Sequence, residues 1–289
     1  CRTKDDRNSL ARKIRIATML GTIQSTLTDF GYLRKRWITN TEEERLLGVS
    51  LTGIMDCKLL NSSPEKLNYS ANIIYLEEHL QYLRNVAITT NKKWAKKLGI
   101  PQSTAITCVK PSGTVSQLVD SASGIHTRHS PYYIRTVRAD NNDPLTIFMK
   151  ECGIPHEPDV LKPDHTSVFS FPIKADTKSK FRNDLSAVSQ LQIWKTYAEH
   201  WCEHKPSVTI SVKESEWVQV GAWCWENFDH LSGVSFLPYS DHTYKQAPYQ
   251  EITSEEFRKA RSKMPKKAID WSLLKEFEKE DHTTGSQEL

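Results

Sequence analysis

The stretch SVTISVKESEWVQVGAWCWENFDHLSGVSFLP (residues 207–238) decides the fold. SVTISVK (207–213) and SGVSFLP (232–238) read as strands, and ESEWVQVGAWCWENF (214–228) between them reads as a helix. Strands separated by a helix pair in parallel, because the crossover returns the chain to the edge it left. The same alternation extends outward. DLSAVSQLQIWKTYAEHWCEH (184–204) is a strongly periodic helix, while YYIRTVRA (132–139) and SVFSFPIK (167–174) are strands. Upstream, a helix runs from about Ala71 to Leu98 with Gly99 at its C-cap, followed by the strand AITCVK (105–110). RLLGVSLTGIMD (45–56) has the look of a buried strand and its exit loop. A first helix starts at Asn8 or Ser9, with Leu10, Ile14, Leu20, Ile23 and Leu27 at roughly helical spacing. From Thr253 onward the tail is helical, with Pro265 between two helices. The expectation is an α/β architecture with a largely parallel sheet: one domain over 1–249 and a helical extension over 250–289.

Composition excludes several classes. No apolar run is as long as a membrane span, so no membrane partner is expected. A net charge of +4 is too mild to argue for nucleic acid, and LRKRW (33–37) and KKWAKK (92–97) read as solvated faces. Six cysteines stand scattered at 1, 57, 108, 152, 202 and 224 without a C-x-x-C, as reduced cytoplasmic thiols would. The chain begins at Cys1 rather than Met and stops in TTGSQEL, so both ends are expected to be cut from something longer.

Chemistry concentrates in ITCVKPSGTVSQLVDSASGIH (106–126), where a strand stops at Lys110-Pro111, turns through Ser112-Gly113 and restarts as a short helix. Such a turn leaves backbone N–H groups free, and a helix start adds partial positive charge, so phosphate is a natural ligand. Gly113 permits close approach, Ser112, Thr114 and Ser116 carry hydroxyls, and Lys110 could supply charge. The spacing is not that of a P-loop, since Lys110 precedes the turn. By itself the turn is either a helix-capping loop or an anion site.

Rival sites are weaker. HWCEH (200–204) puts His200 and His204 four apart on one helical face, as a helical zinc site would. The Glu is adjacent to the second His rather than the first, and no third ligand has a recognisable spacing, so no metal is assigned. Histidines beside exposed C-terminal carbonyls account for the pair better. GIHTRHS (124–130) sets His126 and His129 beside Arg128, close enough to the turn to face a ligand. The tryptophans 217, 223 and 225 read as packing residues.

NTEEERLLGVSLTGIMD (40–56), KPSGTVSQLVDSASGIHTRHSPYYIRTVRAD (110–140), WCEHKPSVTISVKESEW (201–217) and FDHLSGVSFLPYSDHTYKQAPYQEIT (228–253) together resemble the adenosylcobalamin-dependent (class II) ribonucleoside-triphosphate reductases. The resemblance implies the C-terminal half of a ten-stranded α/β barrel with a helical tail. It also implies reduction of a ribonucleoside triphosphate by thiyl-radical chemistry, with adenosylcobalamin as radical source. Thioredoxin or a similar dithiol would be the reductant, and a deoxynucleotide effector would bind the missing N-terminal half. In that family the loop matching Pro111, Ser112, Gly113, Thr114, Val115 and Ser116 cradles the substrate's phosphates.

Other family parts do not carry over. The N-P-C-x-E finger loop, with its radical cysteine and neighbouring Asn and Glu, is absent, and no catalytic residue is assigned. The second active-site cysteine is expected a few residues before Cys1, and the redox pair beyond Leu289, so the fragment alone should be inactive. Tyr132-Tyr133 follows the loop too soon for the tyrosine pair of a di-iron reductase, and Gly285 lacks the context of a glycyl radical. The alternatives are a reductase of another class or a nucleotide- or phosphate-binding module without redox activity.

Overall fold

The computed structural model describes residues 1–61, 69–239 and 244–279, the side chains of 69–73 aside. Positions 280–289, with Gly285 and the end of the expected extension, lie outside the described residues. In chain order the elements are α1 (Arg7–Gln24), α2 (Lys35–Glu44), β1 (Val49–Ser50), α3 (Tyr69–Leu98), β2 (Thr107–Cys108) and α4 (Val115–Leu118). Then come β3 (Tyr132–Asp140), α5 (Pro144–Glu151), β4 (His156–Pro158), β5 (Thr166–Lys174), α6 (Ala187–His200) and β6 (Val208–Val212). The chain continues through α7 (Trp217–Glu226), β7 (Val234–Pro238), β8 (Tyr249–Glu251), α8 (Ser254–Lys263) and α9 (Leu274–Phe277). Two compact units result: 1–128 with 176–239, and 129–175 with 240–289. β8 pairs with β3, so that strand and the helical tail after it belong to the second unit.

In the first unit the opening stretch folds as its sequence suggests. β6 and β7 pair in parallel from Val208↔Val234 to Val212↔Pro238, with α7 as the crossover. β1 and β2 also pair in parallel, Val49 opposite Thr107 and Ser50 opposite Cys108. α1 starts in a capping box: Asp6 accepts from the Ser9 amide and the Ser9 hydroxyl accepts from the Asp6 amide. Its buried stripe is Leu10, Ile14, Thr18 and Thr22, four apart, whereas Leu20, Ile23 and Leu27 are exposed. Six residues turn a helix through about 600°, so Leu20 sits well around the helix from Ile14, and Leu27 falls past its end. α3 lays Leu76, Leu80, Leu83 and Ala87 against this core and ends at Gly99, whose φ of +68° is the left-handed conformation of a helix stop.

α6 and its C-cap residue Trp201 bring three large aromatic side chains into the same core, each with its polar tip satisfied. Trp194 donates to the Pro206 carbonyl (3.2 Å), Trp201 to that of Cys108 (2.8 Å) and the Tyr197 hydroxyl to that of Leu60 (2.9 Å). Full burial pushes the Tyr197 phenol well above its ordinary range, so it serves here as a donor. Tyr197→Phe is expected to cost about 1 kcal/mol, read from the urea midpoint, because the Leu60 carbonyl loses its partner. In α7, Trp223 packs as expected but Trp225 is largely exposed, since two residues along a helix point to different sides.

The second unit corrects the expectation of a largely parallel sheet. β3 and β5 pair antiparallel over their full length, Tyr132↔Lys174 to Asp140↔Thr166, in a sheet of order β4-β5-β3-β8. The reason is the length of α5. Its eight residues climb only about 12 Å, so the chain re-enters the sheet beside the end of β3. β4 aligns with Phe169–Ser167 of β5, which face Val137–Ala139 of β3, and β5 then runs back between them. Met149, Ile154 and Phe169 form this unit's small core, and Phe148 packs on Trp271 and Phe277 of the tail.

Candidate functional site

The parallel pair β1–β2 sets two exit loops side by side, because both strands end at the same edge. Thr52 and Gly53 leave β1, and Lys110 through Gly113 leave β2. The Ser50 hydroxyl accepts from the Lys110 amide (3.0 Å), and the Ala122 carbonyl accepts from the Gly53 amide (2.7 Å). Gly53, at φ +74°, admits no side chain: a Cβ would run into the Cys1 carbonyl oxygen.

A cluster of hydroxyls ties the turn together. Thr52 Oγ1 lies 2.7 Å from Ser112 Oγ and donates to the Ala122 carbonyl at 3.0 Å. The Gly124 amide donates to both hydroxyl oxygens, at 3.0 Å to Thr52 and 2.7 Å to Ser112. Ser123 Oγ stands 3.4 Å from Ser112 Oγ. Gly124 is itself held at φ +50°, and a Cβ there would lie 3.2 Å from the Lys110 carbonyl.

Beyond this cluster the turn is open. Pro111, Gly113, Thr114 and Val115 are exposed, Ser112 is half-buried and Ser116 is buried. A Cβ on Gly113 would meet nothing within 4 Å. Among the described residues the amides of Gly113, Thr114 and Val115 have no hydrogen-bond partner, while the Ser116 amide donates to the Ser112 carbonyl (2.8 Å). The buried Ser116 Oγ also has none. α4 is a single turn of four residues, so the attraction for an anion would come from these amides rather than from a helix dipole.

Arg128 anchors the far end of the loop. Its guanidinium grips Asp56 with two bonds (3.1 and 3.0 Å), bonds Asp120 Oδ1 (3.1 Å) and donates to the Asp120 carbonyl (3.0 Å). Asp56 also accepts from Ser179 Oγ (2.7 Å) and the Ala122 amide (2.7 Å), so every partner of this buried carboxylate is fixed. Arg2 donates to the carbonyls of Val119 and Asp120. Arg128 is therefore committed to structure.

His126 is committed too. Its Nε2 accepts from the Thr209 amide (3.0 Å) and its Nδ1 sits 3.1 Å from the Ser123 carbonyl, which fixes the proton on Nδ1. Burial holds its pKa below the ordinary 6.5, with the Ser123 carbonyl acting weakly the other way. A depressed folded pKa means the unfolded chain binds the proton first, so this contribution is complete above about pH 6.5 and lost as pH falls. Between pH 7 and 5 the wild type is expected to lose stability to urea faster than His126→Gln, and equal slopes would contradict the burial argument. His129, in the second unit, stacks on Tyr249 at 5.6 Å between ring centroids.

No metal centre forms from HWCEH. α6 ends at His200, so His204 lies beyond the helix and the two imidazoles do not share a helical face. His200 bonds Gln81 (2.9 Å) and His204 bonds the Leu47 carbonyl (2.8 Å). Among the described residues no group of three or more His, Cys, Asp or Glu side chains could hold a metal ion. Burial alone would raise the Glu203 carboxyl, but the amides of Ile106 and Thr107 (2.8 and 3.1 Å) and Arg84 hold it below the usual range, and it serves to pin β2. All six cysteines are free. Burial raises the thiols of Cys57 and Cys108 and, with Cys108 nearby, pushes Cys202 up to about 12.

Sequence reasoning found the turn but missed Thr52, Asp56 and Gly124, which hold it. The only signal lay in the glycine-broken LTGIMD (51–56), which says nothing of a partner 60 residues on.

Fold and site together define an α/β protein with a polar turn at the carboxyl ends of parallel strands, where such folds present their ligand sites. Its fold is that of class II ribonucleotide reductase. The crystal structure of the B12-dependent (class II) enzyme matches with a TM-score of 0.74 at 22% identity, over 91% of this chain and 39% of that one. No family model matches. Curated relatives bear out the resemblance drawn from the sequence. An adenosylcobalamin-dependent ribonucleoside-triphosphate reductase of Lactobacillus gasseri is 28% identical over 256 residues, 81% of this chain and 34% of that protein. One from Euglena gracilis is 33% identical over 165 residues, covering 56% and 23% respectively. The chain thus spans about a third or less of the length of these relatives. Among the described residues no helix is long and apolar enough to cross a membrane.

Proposed function

We propose that this chain is the C-terminal half of the catalytic barrel of an adenosylcobalamin-dependent ribonucleoside-triphosphate reductase, working in the cytoplasm to make deoxyribonucleotides. Its part is to hold the substrate: the turn Pro111–Ser116 receives the phosphates of a ribonucleoside triphosphate. The observation that carries this reading is the set of unpartnered amides at Gly113, Thr114 and Val115, with open space over Gly113, in a chain similar to these reductases over most of its length. Three consecutive N–H donors without a partner suit an oxyanion, and the exposed Lys110 nearby in the chain adds positive charge.

Adenosylcobalamin, when bound, supplies the radical by homolysis of its cobalt–carbon bond. Cys57, Cys108 and Cys202 are buried with raised thiol pKa values, which keeps them protonated at neutral pH, and no redox step is assigned to them. Thioredoxin or a similar dithiol and a deoxynucleotide effector belong to this proposal as partners of the whole protein. The coding sequence upstream of Cys1 tests it: N-P-C-x-E there supports the reductase, and an unrelated domain removes it. A spectral change on mixing intact protein with adenosylcobalamin separates this class from other reductases. The isolated 289-residue chain is expected to show no turnover with nucleotide, cofactor and dithiol, and measurable reduction would contradict the placement of the catalytic cysteines.

A further inference from the structure

We infer that Thr52 is the positioning residue of the phosphate turn, and that Ser112 acts as its latch rather than as a phosphate donor. The inference rests on the phosphate reading above and assigns separate roles within that site. It follows from counting protons. A hydroxyl has one, and that of Thr52 goes to the Ala122 carbonyl at 3.0 Å. At 2.7 Å from Thr52, Ser112 must then be the donor of the pair, which consumes its own proton. The lone pairs of Ser112 face the Gly124 amide at 2.7 Å and Ser123 at 3.4 Å. With its proton spent and its lone pairs occupied, the Ser112 hydroxyl has nothing to offer a phosphate oxygen.

Its effect is geometric instead. The bond to Thr52 ties the start of the turn to the loop leaving β1, and the Ala122 and Gly124 bonds tie the end of the turn to the same atom. One side chain therefore fixes both ends of the segment whose middle presents the free amides of Gly113, Thr114 and Val115. Pre-set amides bind an anion without first paying an ordering cost; amides on a loosened turn do not.

The test uses Thr52→Val, which keeps shape and removes the hydroxyl, Thr52→Ser, which restores it, Ser112→Ala, the double variant and Gly113→Val. In the intact protein, KM and kcat for ribonucleotide reduction are read beside tripolyphosphate affinity by titration. Thr52→Val and Ser112→Ala are each expected to raise KM and weaken tripolyphosphate binding at least fivefold, with kcat within twofold. Thr52→Ser should return both to near wild type. The double variant should be no worse than Thr52→Val alone, because both break one relay. Either single variant binding within twofold of wild type, or the two effects adding, overturns the latch while loss of binding in Gly113→Val keeps the phosphate site. If Thr52→Val does not fold, Ser112→Ala decides from the other side of the bond. Unchanged binding in Gly113→Val removes the phosphate site and this inference together.

Discussion

Replacing Arg128 with alanine is expected to destabilise the first unit by about 3–5 kcal/mol, the usual cost of removing one partner from a buried ion pair. Arg128 and Asp56 are both nearly inaccessible, with side-chain exposures of 8% and 4%. The loss would leave the Asp56 carboxylate buried with only neutral donors, the Ser179 hydroxyl and the Ala122 amide. A buried charge without a countercharge is far costlier than a missing neutral bond. Urea unfolding measures the shift, and a change under 1 kcal/mol would show that water reaches Asp56. Arg128→Lys should fall between, since an ammonium cannot match the paired bonds of a guanidinium. The same side chain holds the Asp120 carbonyl at the end of α4, so this variant should also loosen the turn.

Gly113→Val separates binding from folding in the opposite sense. Because a Cβ at Gly113 meets nothing within 4 Å, stability should stay within about 0.5 kcal/mol of wild type, as for most surface substitutions. The branched side chain would nonetheless stand in the space before the amides of Gly113 and Thr114, where a phosphate oxygen must come within about 3 Å. Substrate KM in the intact protein is therefore expected to rise at least tenfold, about 1.4 kcal/mol or more. Normal unfolding with raised KM is the diagnostic pair of results. An unchanged KM would place the phosphates elsewhere.

The sequence was most legible where one element packs by its own pattern. β3 and β5 lie within a residue of the expected strands, because long β-branched and aromatic runs suit a pleated surface whatever their partners. α6 and α3 were visible from periodicity and from Gly99, since a helix satisfies its backbone within itself. Along α1, Leu20, Ile23 and Leu27 lie at roughly helical spacing yet are exposed, because which stripe faces the core depends on where α3 lies against it.

For the site, the residues of the turn were plain in PSGTVS (111–116), because glycine and small hydroxyls together are a local signal. Its support was not. Thr52 and Asp56 reach the turn only through the parallel pairing of β1 with β2 and the return of the loop at Ala122, contacts between segments 60 to 72 residues apart.

By itself, then, the sequence determined helices α1, α3, α6 and α7, strands β3, β5, β6 and β7 with the β6–α7–β7 crossover, and the place of the polar turn, all of which depend on neighbours a few positions away. Only the tertiary structure decided that β5 runs antiparallel to β3, that the imidazoles of His126, His200 and His204 bond to neighbouring protein groups and that Thr52 governs the turn. Strand direction depends on how far a short helix carries the chain back, and a hydroxyl's role depends on which distant carbonyl takes its proton; neither quantity is written in local spacing.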